Sequence, residues 1–290
     1  LWWGEKGTNF PRLKAFLAEN QQGVRPQTLL LRSHVGDNQS ATREVNTLFP
    51  EGNVFDTPKP TSLIKHLCYV ANVRSDDIVL DFFAGSATTA DAVMQLCADD
   101  GEQRQFILVQ MPEKYGENSL AHSLGFSTIA ETARERVRRA GDRISGGAGL
   151  AGDQLDIGYR SLVVDTTNMA DVLRTPDDAQ QQELTVLEDS VKPGRTSEDL
   201  LFQVLLDWGL KVTLPIAAEK VEGREVFVVD DGALVACFDH DVNPELVRAL
   251  AKHEPLRVVF RDSGFASDDA RINAEQIFRE LSPATSVRAI

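Results

Sequence analysis

Ile78-Val79-Leu80-Asp81-Phe82-Phe83-Ala84-Gly85-Ser86-Ala87-Thr88-Thr89 decides how the rest of this 290-residue chain is read. Residues 78–82 form a short apolar run that reaches an acidic residue and a small-residue turn. That is the pattern of a buried, central parallel strand covered on both faces. A helix is expected from about 88 to 96. Gly85 permits close backbone approach, while Ser86, Thr88 and Thr89 place hydroxyls and unpaired amides at the helix N-terminus. The positive end of the helix dipole lies there, so the turn can hold an anionic group. The plainer alternative is an ordinary strand–turn–helix junction capped by Ser86 or Thr88.

The neighbouring segments add to this. Upstream, Phe55-Asp56-Thr57-Pro58-Lys59-Pro60-Thr61-Ser62-Leu63-Ile64 reads as a proline-rich turn entering a helix over 61–70, capped by Thr61 or Ser62. Downstream, Arg104-Gln105-Phe106-Ile107-Leu108-Val109-Gln110-Met111-Pro112-Glu113 carries a second strand over 105–109. Strand, helix and strand at this spacing predict a right-handed βαβ unit. Ligands of such sheets bind beyond the carboxyl ends of the strands, where Asp81, Gly85 and Gln110 should meet.

These three segments, in this order, resemble the cofactor half of the amino-type DNA methyltransferases whose cofactor motifs follow the catalytic motif. More closely they resemble the modification (Mod) subunits of type III restriction-modification systems, which methylate adenine at N6. Two later segments, Val259-Phe260-Arg261-Asp262-Ser263-Gly264-Phe265 and Asn273-Ala274-Glu275-Gln276, are similar to the C-terminal region of the same subunits. The resemblance implies an α/β fold: a partial Rossmann-like methyltransferase sheet, followed by a smaller α/β C-terminal domain. It implies S-adenosylmethionine as cofactor, held by Thr57, Lys59, Asp81, Phe83, Ala84, Gly85, Ser86, Thr88, Thr89, Gln110 and Glu113. The Lys-Pro segment is expected to close over the methionine end. Double-stranded DNA, a second copy of the chain and the restriction (Res) subunit are the partners it implies.

The chain departs from the family pattern in two places. Many relatives have Gly-Ser-Gly-Thr-Thr where this chain has Gly85-Ser86-Ala87-Thr88-Thr89, and alanine fits poorly if that position needs a positive φ. Many also end the second strand in an acid that accepts both ribose hydroxyls. Here the position is Gln110, an uncharged acceptor, and Glu113 is the competing candidate; the type III proteins resemble this chain in having the glutamine. The family's catalytic clamp is an Asp/Asn/Ser-Pro-Pro-aromatic tetrapeptide, and no Pro-Pro pair occurs in the sequence. In the family order it precedes the recognition region, so the chain reads as a fragment that does not methylate DNA by itself. Its start at Leu1, without methionine, points the same way.

Composition is that of a globular chain. No apolar run reaches the roughly 18 residues of a membrane span, and no signal peptide is visible. Cys68, Cys97 and Cys237 lie far apart without metal-ligand spacing and read as buried free thiols of a cytoplasmic protein. The net charge of −14 arises mainly in residues 151–290, with fourteen basic and twenty-six acidic side chains. Phosphate binding needs a basic face, so this half is read as a surface for protein contacts.

Four regions are expected: 1–55, the end of a recognition or linker region; 56–145, the cofactor subdomain; 146–152, a glycine-rich linker; and 153–290, the C-terminal α/β domain. In the first, a helix over 11–20, a strand over 28–31 and a helix to 48 with Ser40 as N-cap are predicted, and the Trp2-Trp3 pair reads as core. A helix over 128–141 should point Ile129, Ala133 and Val137 inward. Arg134, Arg136, Arg138 and Arg139 then form a solvated basic face or a contact to DNA phosphate or to the absent half of the enzyme. Beyond the linker, strands are expected at 159–165, 212–216, 225–229, 233–238 and 257–260, with helices at 178–188, 197–208, 244–252 and 268–281. His240, between Asp239 and Asp241, reads as a solvated turn, and no metal site is expected. Two other functions compete: an interaction module docking a Mod or Res subunit, and a small-molecule methyltransferase.

Overall fold

The computed structural model describes Lys6 and residues 26–147, 155–170 and 190–290. The expected helices over 11–20 and 178–188 and the Trp2-Trp3 pair fall outside these residues. The chain divides into two compact units, Leu1–Ser161 and Leu162–Ile290.

In the first unit, the segment expected as a strand at 28–31 is irregular, with its leucines exposed to solvent, and leads into a one-turn helix α1 (Arg32–Val35). Helix α2 (Asn38–Leu48) is capped by Asp37 rather than Ser40. Asp37 accepts from the Ser40 amide at 2.8 Å, and the Ser40 hydroxyl accepts from the Asp37 amide at 2.8 Å. Ser40 is thus the third helical residue of a reciprocal capping box. Helix α3 (Thr61–Val70) starts after Pro60 without a side-chain cap; the Thr61 amide instead donates to Glu44 of α2 at 2.9 Å.

Strand β1 (Ile78–Asp81), helix α4 (Thr88–Asp100) and strand β2 (Gln105–Leu108) form the expected βαβ unit, with β1 and β2 parallel and Ile78 opposite Gln105. The helix runs four residues beyond 96 and stops at Gly101, whose positive φ ends it. Phe106 and Leu108 pack against the apolar cluster that includes Ala87, Ala90 and Met94 of the α4 segment. The opposite face is open: Ile78, Leu80 and Ile107 are exposed, Leu80 at 58%. The expectation of a strand covered on both faces is therefore not met in this unit. An apolar strand needs a second layer, and two strands alone supply no more sheet.

The short helix α5 (Leu120–Ser123) precedes α6 (Ile129–Gly147), which extends beyond the expected 141 into the first residues of the glycine-rich stretch. Ala133, Val137 and Ala140 of α6 join Val45, Leu48 and Phe49 in the core. Residues 155–161 belong to the first unit. Ile157 packs at Gly141 and the Tyr159 hydroxyl donates to the Arg134 carbonyl at 3.1 Å. The strand expected at 159–165 is absent, with Val164 98% exposed: its β-branched residues find no ladder partner.

The second unit holds helix α7 (Ser197–Asp207), strands β3 (Ile216–Val221), β4 (Arg224–Val229) and β5 (Leu234–Cys237), helix α8 (Pro244–Ala251), strand β6 (Arg257–Phe260), helix α9 (Asp268–Leu281) and strand β7 (Ser286–Ala289). Their order in the sheet is β3-β4-β5-β6-β7, antiparallel as far as β5 and parallel beyond it. Residues 212–214 form a turn and bend, not the expected strand. Alternation along the strands feeds two cores. Val226, Val235, Val258 and Phe260 pack with α8 and α9, whereas Phe227, Val229, Leu234, Ala236 and Val259 pack with α7. The mixed α/β character read from the sequence holds in both units.

Candidate functional site

The carboxyl ends of β1 and β2, the turn 82–87 and the first turn of α4 converge with the loop 55–60. Asp81, the last residue of β1, accepts from the Phe83 amide at 3.1 Å and from the Thr89 hydroxyl at 2.6 Å. It therefore fixes both sides of the turn. Gln110, just past β2, accepts from the Gly85 amide at 2.7 Å and donates to the Met111 carbonyl at 3.1 Å. One oxygen lone pair is thus committed to shaping the turn. Ala84 is buried and donates to the Val109 carbonyl at 3.1 Å.

The turn contains two left-handed residues. Gly85 has φ +53°, and Ala87 has φ +58° and takes the N-cap position of α4. Neither Ser86 nor Thr88 caps the helix. Their hydroxyls lie 3.2 Å apart and face the protein interior. The Phe55 ring stands where a Cβ on Gly85 would meet it at 3.4 Å, which brings the proline-rich loop against the turn. The Thr88 hydroxyl also donates to the Lys59 carbonyl at 3.2 Å. The side chains of Thr57, Lys59, Phe83 and Glu113 are exposed, Phe83 at 79%, with its ring against Phe82 at 5.1 Å between centroids. The eleven predicted residues thus separate into those that build the turn (Asp81, Ala84, Gly85, Ser86, Thr88, Thr89, Gln110) and those that face solvent beside it. Glu113 makes its contacts through its backbone, accepting from the Ile129 amide at 2.9 Å.

Sequence reasoning missed what lies under the turn. Arg136, expected on a basic face, is 1% exposed. Its Nη1 donates to the Ser86 carbonyl (3.2 Å), the Ser86 hydroxyl (2.8 Å) and the Thr88 hydroxyl (2.8 Å), and its Nη2 donates to Asp91 at 3.1 Å. Arg143 reaches the other Asp91 oxygen at 3.0 Å, as does Gln95 at 2.8 Å. Burial pulls the Arg136 guanidinium below its ordinary proton affinity and the Asp91 carboxylate opposes that pull. Two guanidiniums meet the Asp91 carboxylate here, and the Glu44 carboxylate also acts on Arg136. The available signal was the spacing: Thr132, Arg136 and Ala140 recur at four, the period of a buried helical stripe, with Asp91 as the one acid in the apolar half of α4. Arg138 and Arg139 are also spent internally, both on Glu135, and Arg139 additionally on Glu51 and the Leu48 carbonyl, with its guanidinium 4.4 Å from the Phe49 ring centroid.

Residues 6–121 match the DNA methylase family. The chain is 42% identical over 127 residues to the Mod subunit of the type III restriction-modification enzyme StyLTI of Salmonella typhimurium, covering 44% of this chain and 19% of that protein. It is 30% identical over 240 residues to the Mod subunit of the type III enzyme EcoP15I of Escherichia coli, covering 80% of this chain and 35% of that one. A type II methyltransferase of Klebsiella pneumoniae, M.KpnI, is 34% identical over 104 residues, which are 36% of this chain and 24% of it. The chain spans about a fifth to a third of the length of these relatives. The DNA methylase match ends just before α6, whereas the similarity to EcoP15I Mod takes in most of the chain. Over these stretches the chain is similar to the modification subunits of type III restriction-modification enzymes.

Proposed function

We propose that residues 56–145 form the S-adenosylmethionine site of an adenine-N6 DNA methyltransferase of a type III restriction-modification system, and that the second unit, Leu162–Ile290, forms its C-terminal domain. The observation that carries this reading is the Asp81–Thr89 turn. Strand β1 ends and helix α4 begins there, at a doubly left-handed loop whose shape is held by Asp81, Gln110 and Arg136 at the same time. The surroundings suit the cofactor chemically. Phe83 offers an exposed aromatic face, the Lys59 ammonium suits a carboxylate, and Gln110 and Glu113 are the acceptors for a ribose. S-adenosylmethionine supplies a sulfonium-bound methyl group; the residues of this chain hold and orient it. Thr57 and Lys59, on a proline-stiffened loop seated against the turn, close the site from above.

The catalytic Pro-Pro clamp lies outside this sequence, so the chain alone binds the cofactor without transferring its methyl group to DNA. The exposed apolar face of β1 and β2 supports this division of labour. Ile78, Leu80 and Ile107 are the surface on which the rest of a Rossmann-like domain would pack in the complete protein. DNA, a second Mod copy and the Res subunit are the partners of that complete protein, acting in the cytoplasm. No helix among the described residues is long and apolar enough to cross a membrane.

The test is calorimetric titration of the chain with S-adenosylhomocysteine beside Asp81→Ala and Asp81→Asn. Saturable binding abolished by alanine and weakened by the near-isosteric asparagine supports the site. Equal binding by all three places the ligand elsewhere. Transfer of a labelled methyl group to DNA by this chain alone would refute the assignment of the catalytic clamp to another part of the protein.

A further inference from the structure

The second unit is strongly acidic, yet two of its arginines converge on a single indole. The Arg257 and Arg288 guanidinium carbons stand 5.8 and 5.3 Å from the Trp208 ring centroid. Register explains the convergence. In the parallel pair β6–β7, Arg257 lies opposite Ser286 and Val259 opposite Arg288. Residues two apart on a strand share a face, and Val259 packs in the same apolar cluster as Trp208. Arg257, Ser286 and Arg288 therefore line the α7 side of the sheet where the apolar packing ends. Together with Trp208 and Asp207 they border a recess of about 350 Å³.

Among the described residues neither guanidinium has an ion pair, and Asp207 bonds to neither of them. The contact with the ring is made without a hydrogen bond, so the N–H groups of both guanidiniums are left for a ligand. Holding two like charges over one aromatic also costs repulsion, which an anion between them removes. Two forks and the Ser286 hydroxyl present more donors than the two oxygens of a carboxylate can accept, and they match a tetrahedral oxyanion. The indole face is already engaged by the arginines, so recognition falls on a phosphate rather than on a base.

We infer that the Trp208–Arg257–Arg288 recess is a phosphate-binding site, separate from the cofactor turn and independent of its assignment. The surrounding acidity confines its attraction to short range. The phosphate comes either from a free phosphoanion or from a nucleic-acid backbone.

The full chain, Arg257→Gln/Arg288→Gln, Arg257→Lys/Arg288→Lys and Arg271→Gln would be titrated with inorganic phosphate in a calorimeter, with thermal melts as a check on folding. Arg271 is the control: it is paired with Asp262 at 2.8 Å and borders a neighbouring recess that Arg288 also lines, so loss of binding in Arg271→Gln would place the phosphate there instead. The native chain and Arg271→Gln should bind saturably. The glutamine pair should lose roughly tenfold or more in affinity, and the lysine pair, which keeps charge without the fork, should fall between. A short DNA duplex that displaces phosphate makes the backbone the source. A duplex that fails to displace it makes a free phosphoanion the ligand. No binding by the native chain, or equal binding by a glutamine pair that melts like the native chain, overturns the site.

Discussion

Ala87 sits in a left-handed conformation with its methyl group fully buried, a combination whose terms oppose one another. A positive φ costs an L-residue about 1–2 kcal/mol, so glycine relieves strain. Glycine also gives up a buried methyl, about 0.8 kcal/mol, and adds about 0.4–1 kcal/mol of unfolded-chain entropy. The two sides nearly cancel. Ala87→Gly is expected to stay within about 1 kcal/mol of the parent in urea melts, whereas Ala87→Val, β-branched at positive φ, should be several-fold worse. A large loss in Ala87→Gly would show that the methyl packing matters more than the strain. Arg136 shows the opposite balance. Arg136→Met leaves Asp91 buried with only Arg143 and Gln95, and removing one partner of a buried pair costs about 3–5 kcal/mol. Arg136→Lys keeps the charge but cannot span Ser86, Thr88 and Asp91 together, and should lose about 1.5–3 kcal/mol. Matching melts for all three proteins would contradict the clamp.

Elements were most legible where one pattern dominated. Helices α3 and α9 and strand β6 fall on their expected residues: Pro60 precedes α3, Ser267 caps α9, and Pro255 precedes the short apolar run of β6. Failures came where tertiary partners decide. The segment 159–165 has β-forming residues but no ladder, and the short, partly polar strand β7 exists only because β6 offers it an edge. Helix α6 was legible as a helix and misread as a surface. Its arginines looked basic, but the guanidiniums of Arg136, Arg138, Arg139 and Arg143 are each answered by an acid from elsewhere in the fold or from the same helix. Its outer network titrates. Bonds from Arg138, together with Arg139, hold the Glu135 carboxyl at about 2, below its ordinary 4.5. The folded-state value is depressed, so this contribution is full above about pH 5 and disappears as pH falls toward 2. Because Arg138 is half-exposed, about 1 kcal/mol is expected rather than the full shift. Melts of Glu135→Gln and the parent should differ at pH 6 and converge near pH 2; a constant offset would remove the electrostatic cause.

At the scale of the molecule, the two units differ in how far each completes its own sheet. The second unit completes its own five-stranded sheet with helices on both faces, while the first leaves one face of a two-stranded sheet in solvent. The chain end of the first unit was harder to place, because residues 155–161 return along α6 after the glycine-rich stretch. The turn was legible as a meeting place: Gly85 bonds to Gln110, and Asp81 closes the same turn, as the βαβ reading requires. Its support was not, since Arg136 and Asp91 are distant in sequence and look like surface residues until α4 and α6 pack. Leu80→Glu on the open face should leave the stability of this chain within about 0.5 kcal/mol of the parent, because the Leu80 side chain is 58% exposed. A loss of 2 kcal/mol or more in urea melts would show that the face is already packed in solution.

The central claim is that the Asp81–Thr89 turn holds the cofactor, and a crystal structure of the chain grown with saturating S-adenosylhomocysteine tests it most directly. The account predicts ligand density beyond the carboxyl ends of β1 and β2, against Gly85 and Phe83, with Gln110 or Glu113 at the ribose. Density at another place on the chain, or an empty turn at saturation, would contradict it.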